Sequence, residues 1–127
     1  MPWQLVNTES LNTSHGLSAT WLGHATVLLN SAGVRVLTDP IFSERASPVS
    51  WLGPKRLTAL PVDPASLPFV DVVVISHNHY DHLDLPSLHI LNTQVGGPPL
   101  FIVPLGNAAL LQSEGITNVK ELDWWNS

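Results

Sequence analysis

Three histidines and one aspartate fall within six positions, His77-Asn78-His79-Tyr80-Asp81-His82, in the pattern His-x-His-x-Asp-His. Neutral imidazole and carboxylate are ligands that suit a borderline divalent ion such as zinc. His77 and His79 stand two apart, so in an extended segment they project to the same side and can grip one ion. Asp81 and His82 follow where the chain turns, and can serve a second ion close by. The bland reading is a solvated loop that happens to be rich in histidine. Clustering of so uncommon a residue, straight after an apolar run, favours the metal. Asp84 precedes Leu85-Pro86-Ser87-Leu88 and reads as a helix N-cap rather than a ligand, since proline is welcome in a first helical turn.

The elements that must position these residues are legible on either side. Val70-Asp71-Val72-Val73-Val74-Ile75 is short, β-branched and apolar, and predicts a buried strand. The cluster starts where that strand ends, which is where rigid scaffolds hold functional side chains. Upstream, residues 17–22 and 25–30 are strand-like around Gly23-His24. After the turn Ser31-Ala32-Gly33, residues 34–38 form a further strand that stops at Asp39-Pro40. The short turn predicts an antiparallel hairpin. His24 and Asp39 each close a strand. Each reads equally as turn chemistry or as a group that stands behind the metal ligands and orients them.

Residues 40–69 hold Pro40, Pro48, Pro54, Pro61, Pro64 and Pro68 and form a long irregular connection. With Ile41, Phe42, Trp51 and Leu52 it reads equally as a cover over the site or as a surface excursion packed on its own aromatics. Downstream, a helix is predicted over 85–95, with Leu85, Leu88, Leu91 and Val95 on one face and His89 at its surface. A strand over 100–103 follows, then a short helix over 107–112 capped by Asn107, then a strand over 118–122. Hairpin strands followed by β-α-β-α-β predict an α/β fold, a mixed sheet with helices on one face. Residues 1–16 read as a polar lead-in that carries a surface His15, and 17–127 as the folded unit.

Composition limits the function classes. At 127 residues the chain is one domain at most, and 44% hydrophobic residues suffice for a core. Charged residues make up only 12%, so much of the surface is expected to be buried. The net charge is -5 and Lys55-Arg56 is the only adjacent basic pair, which argues against nucleic-acid binding and against electrostatic docking on an anionic membrane. There is no cysteine, hence no disulfide and no thiolate zinc site. Met1 to Asn7 lacks the basic start and apolar run of a signal peptide. No apolar run approaches the roughly 18 residues of a membrane span. A cytoplasmic location follows as the expectation, with any membrane contact peripheral and carried by residues 40–69.

His77-x-His79-x-Asp81-His82 after an apolar strand resembles the signature of the metallo-β-lactamase superfamily. Trp21-Leu22-Gly23-His24-Ala25-Thr26, Leu37-Thr38-Asp39-Pro40-Ile41-Phe42-Ser43, Arg45-Ala46-Ser47-Pro48, Gly53-Pro54-Lys55-Arg56, Pro104-Leu105-Gly106 and Glu121-Leu122-Asp123-Trp124-Trp125 are similar to its N-acyl-phosphatidylethanolamine-hydrolysing phospholipase D branch. The similarity runs from about Trp21 to Trp125. It implies an αβ/βα sandwich of which this chain is the N-terminal half, with two zinc ions at the strand ends. By the resemblance, His77 and His79 bind the first zinc, while Asp81 and His82 bind the second. Asp81 also acts in catalysis by orienting the nucleophile.

The implied reaction is metal-assisted hydrolysis of a phospholipid phosphodiester, releasing an N-acylethanolamine and a phosphatidic acid. The family's remaining ligands lie in the C-terminal half of the fold, and His89 matches none of them. The resemblance therefore implies a partly furnished centre and a sheet with one apolar face open, completed by self-association or by a missing half. Two rival readings stand beside it: another hydrolase of the superfamily, such as a lactonase, and a non-catalytic half-domain.

Overall fold

The computed structural model describes Leu11 and residues 16–43, 60–79 and 82–126. Six strands form one sheet in the order β1-β2-β3-β4-β5-β6. They are β1 (Leu17–Gly23), β2 (Thr26–Ser31), β3 (Val34–Thr38), β4 (Val72–Val74), β5 (Leu100–Pro104) and β6 (Val119–Leu122). Helix α1 (Leu85–Asn92) lies between β4 and β5, and α2 (Ala108–Ser113) between β5 and β6. The first three strands pair antiparallel, as the hairpin turn predicts. From β3 onward pairing is parallel; a long connection joins β3 to β4, and helices α1 and α2 make the crossovers from β4 to β5 and from β5 to β6. The predicted mixed sheet is what forms.

Leu28, Leu37, Val73 and Phe101 are register partners from strand to strand, so they line one face of the sheet in a row. All are buried, and they share one core with Leu88 and Leu91 of α1 and Leu111 of α2. The helices therefore cover this face. Leu11 joins the same core. The residues that alternate with the row, Val27, Leu29, Val36, Val72, Val74 and Ile102, point the other way and stay half-buried although apolar. Among the described residues this second face is apolar but only half-buried, and none of these six side chains is fully exposed. Ile41 is buried and Phe42 packs against the core. These two residues face inward and do not form an exposed cover. Trp51, Leu52, His15 and the segments Arg45–Pro48 and Gly53–Arg56 lie outside the described residues.

One helix boundary is corrected, and two expected N-cap residues hold their positions without the expected side-chain cap. Helix α1 ends at Asn92 instead of continuing to Val95, which is 97% exposed. Thr93 closes the helix, and Gln94 then turns away to clamp the backbone of Val70, accepting from its N–H at 3.1 Å and donating to its carbonyl at 2.8 Å. Asp84 holds the N-cap position, but its carboxylate caps no backbone N–H; it accepts from the hydroxyls of Ser43, at 2.7 Å, and Ser87. Asn107 precedes α2 without a side-chain cap, and Glu121 of β6 instead accepts from the Ala108 N–H at 2.6 Å. In each case a partner distant in sequence takes part: Val70 for Gln94, Ser43 for Asp84 and Glu121 for Ala108.

Candidate metal centre

Parallel pairing aligns the carboxyl ends of β3 and β4, with Thr38 opposite Val74. The residues that follow, Asp39 and Ile75-Ser76-His77, therefore leave the sheet at one edge, the usual place for ligand sites in parallel sheets. β2 starts beside the end of β3, with Val27 opposite Thr38, so the turn that carries His24 opens onto the same edge. That turn follows a register shift between Trp21 and Gly23. Gly23 takes φ +110° and His24 φ +47°, a left-handed pair that glycine adopts freely and that histidine tolerates better than most residues. The Trp21 indole N–H holds the turn by donating to the His24 carbonyl at 2.8 Å.

Asp39 has φ +36°, again a left-handed backbone at a non-glycine residue. Its N–H donates to the Val74 carbonyl at 2.9 Å. Its own carbonyl accepts from the buried Thr26 hydroxyl at 2.7 Å, which in turn accepts from the Ile41 N–H at 3.2 Å. This framework turns the carboxylate toward the end of β4. Oδ1 accepts from the Ser76 N–H at 2.7 Å, and Oδ2 from the Ser76 hydroxyl at 2.7 Å. Oδ2 also lies 2.8 Å from His82 Nδ1.

The imidazoles gather in front of this acid. The ring centroids of His77 and His82 are 3.8 Å apart, and those of His77 and His79 are 4.9 Å apart. His24 meets His82 edge-on at 5.2 Å. The chain comes back on itself because the N–H groups of His82 and Leu83 both donate to the His79 carbonyl, at 2.9 and 2.7 Å. Asp39 and His24, left open between turn and site by the sequence, are both brought to the site. Asp39 touches His82 through a hydrogen bond, and His24 touches it ring to ring. Asp81 lies outside the described residues, so its assignment rests on the sequence pattern. His89 is engaged elsewhere: its Nε2 pairs with Glu114 Oε2 at 3.2 Å, between the two helices.

The donor chemistry suits a divalent ion. A carboxylate at Nδ1 of a histidine fixes the ring and presents Nε2 as the ligating atom. Among the described residues, no three His, Asp or Glu side chains converge to hold an ion. The described residues gather the imidazoles of His77, His79 and His82 at one strand end, a donor chemistry that fits part of a metal centre without bringing three donors onto one point. Sequence reasoning assigned no role to Ser76 or Thr26. A hydroxyl residue between a strand and a histidine pair is a signal that could have singled out Ser76.

Residues 18–126 match the family described as "Beta-lactamase superfamily domain". The N-acyl-phosphatidylethanolamine-hydrolyzing phospholipase D 1 of Caenorhabditis elegans is 39% identical over 132 residues, covering 100% of this chain and 37% of that protein. Among solved structures, an isothiocyanate hydrolase from Delia radicum gut bacteria superposes with TM-score 0.62 at 29% identity, over 86% of this chain and 43% of that one. CmlA, a diiron β-hydroxylase from Streptomyces venezuelae, also gives TM-score 0.62, at 26% identity, over 87% of this chain and 21% of that one. The chain thus spans less than half the length of the curated relatives it matches. With the family match running across β1 to β6 and through the histidine cluster, the chain belongs to the beta-lactamase superfamily, over the part of the domain that includes the His-x-His-x-Asp-His segment.

Proposed function

We propose that this chain carries the first metal-ligating segment of a metal-dependent hydrolase that cleaves a phosphodiester of an N-acylated phospholipid. The observation that carries the reading is the cluster of His77, His79 and His82 at the carboxyl end of β4, with Asp39 bonded to Nδ1 of His82. Likeness to the C. elegans phospholipase D supports the substrate class. His77, His79, Asp81 and His82 would hold the metal, in our reading two zinc ions. When bound, a divalent ion supplies Lewis acidity and makes water nucleophilic at neutral pH. Asp39 keeps the His82 ring in one orientation with Nε2 outward. The remaining ligands would come from the part of the relatives' length that this chain does not span, or from self-association. Those donors would also bring cover for the half-buried apolar face of the sheet. Contact with a lipid surface would fall to residues other than Ile41 and Phe42, which face the core.

Metal content per folded chain, by elemental analysis after gel filtration, is the first test. Bound zinc, together with turnover of an N-acylated phosphatidylethanolamine, is the expected result for the complete protein. Iron in place of zinc would move the centre toward the type named for CmlA. Turnover of a lactone without turnover of the phosphodiester would replace the phospholipase reading with the lactonase one. A protein that binds no metal and turns over neither substrate would be a non-catalytic half-domain.

A further inference from the structure

We propose that the Ser76 hydroxyl relays the Asp39 carboxylate to His77, so that one buried acid sets the tautomer of two histidines at once. The inference rests on the metal-binding reading above for its purpose, though not for its geometry. Ser76 Oγ lies 2.7 Å from Asp39 Oδ2, 2.9 Å from His77 Nδ1 and 3.2 Å from His82 Nδ1. A hydroxyl has one hydrogen and two lone pairs, whereas a carboxylate can only accept. The single hydrogen on Oγ is therefore directed at Oδ2. What Oγ offers His77 is a lone pair, so His77 Nδ1 must carry the hydrogen of that 2.9 Å contact. Were Nδ1 bare, two lone pairs would face each other.

The same count applies to His82. Its Nδ1 faces Asp39 Oδ2 at 2.8 Å and the accepting side of Ser76 Oγ at 3.2 Å, so it too is an N–H. Both rings are then left with a bare Nε2, the state a metal requires. The Ser76 backbone N–H, held by Asp39 Oδ1 at 2.7 Å, keeps hydroxyl and carboxylate in register. Asp39 reaches His82 directly and reaches His77 through the hydroxyl. Ser76 is thus a positioning residue.

The test reads the tautomers without metal. Protein labelled with 15N-histidine is studied metal-free, at a pH where the nitrogen shifts themselves report neutral rings. Long-range proton–nitrogen spectra distinguish Nδ1–H from Nε2–H rings, and single histidine substitutions assign the signals. Both His77 and His82 are expected as Nδ1–H in the unaltered protein. Ser76→Ala should release His77 toward the Nε2–H form while His82, still bonded to Asp39, keeps its signals and reports an intact site. Ser76→Thr should restore His77. Zinc affinity, measured by chelator competition, should fall about tenfold in Ser76→Ala and recover in Ser76→Thr.

His77 found as Nε2–H in the unaltered protein would overturn the proposal, and that measurement needs no variant to fold. An unchanged His77 tautomer in Ser76→Ala would overturn it as well. Protein that binds no zinc yet shows both Nδ1–H rings would refute the function proposed above and support the relay.

Discussion

Asp39 Oδ2 stands 2.8 Å from His82 Nδ1 although 43 positions separate the two residues. The contact exists because β3 and β4 are parallel neighbours whose ends coincide. Asp39 makes it from a left-handed backbone, a conformation that costs on the order of 1 kcal/mol at a non-glycine residue. Bonds from Thr26, Ser76 and His82 offset that cost.

Asp39→Asn separates the acid from the turn. Asparagine tolerates a left-handed backbone, so the turn survives while the carboxylate is lost. Zinc affinity should fall roughly 10- to 100-fold, with a loss of about 1–3 kcal/mol in stability from the broken charge-assisted bonds. Chelator competition and urea unfolding measure the two effects. An unchanged affinity would reduce Asp39 to a turn former.

Thr26→Val tests the framework behind Asp39. The hydroxyl is buried, donates to the Asp39 carbonyl and accepts from the Ile41 N–H. Valine has nearly the same shape but leaves both backbone groups without this partner. A destabilisation of about 1–3 kcal/mol is expected in urea unfolding. A shift of the His82 ring signals should accompany it, because the Asp39 turn loses its anchor.

Ser87→Ala removes a wholly buried hydroxyl that donates to Asp84 and accepts from the Phe42 N–H at 2.7 Å. The expected loss is about 1–3 kcal/mol. Ser43→Ala should cost less, since Ser43 is only half-buried. Both serines donate to the same Asp84 oxygen, so the double variant should depart from additivity. Strict additivity in a double-mutant cycle would mean that the two bonds act independently.

Glu121→Ala removes the acceptor at the first N–H of α2. Loss of a helix N-terminal cap costs about 0.5–2 kcal/mol, and a carboxylate there also favours the helix dipole. Asn107→Ala should cost less, because its side chain caps no helix N–H and donates instead to the Pro104 carbonyl at 3.0 Å. Thermal unfolding of the two variants checks the order; the reverse order would return the cap to Asn107.

By itself, the sequence determined the succession of strands and helices, the mixed sheet and the histidine cluster. Those features are local: the β-branched run before Ser76, the turn at Ser31-Ala32-Gly33, the stop at Asp39-Pro40, and the spacing His77-x-His79-x-Asp81-His82. Apolar periodicity and turn chemistry act over a few residues and can be read in order along the chain. Tertiary structure decided which groups stand behind the cluster. Asp39 was poised between turn and site until parallel pairing set it beside Ser76 and His82. Ser76, Thr26 and the Gln94 clamp on Val70 had no local signature that assigned them a partner. Asn107 lost its expected cap to Glu121 for the same reason. Hydrogen bonds of this kind join positions brought together only by strand register, and register is a property of the assembled sheet rather than of any one stretch of chain.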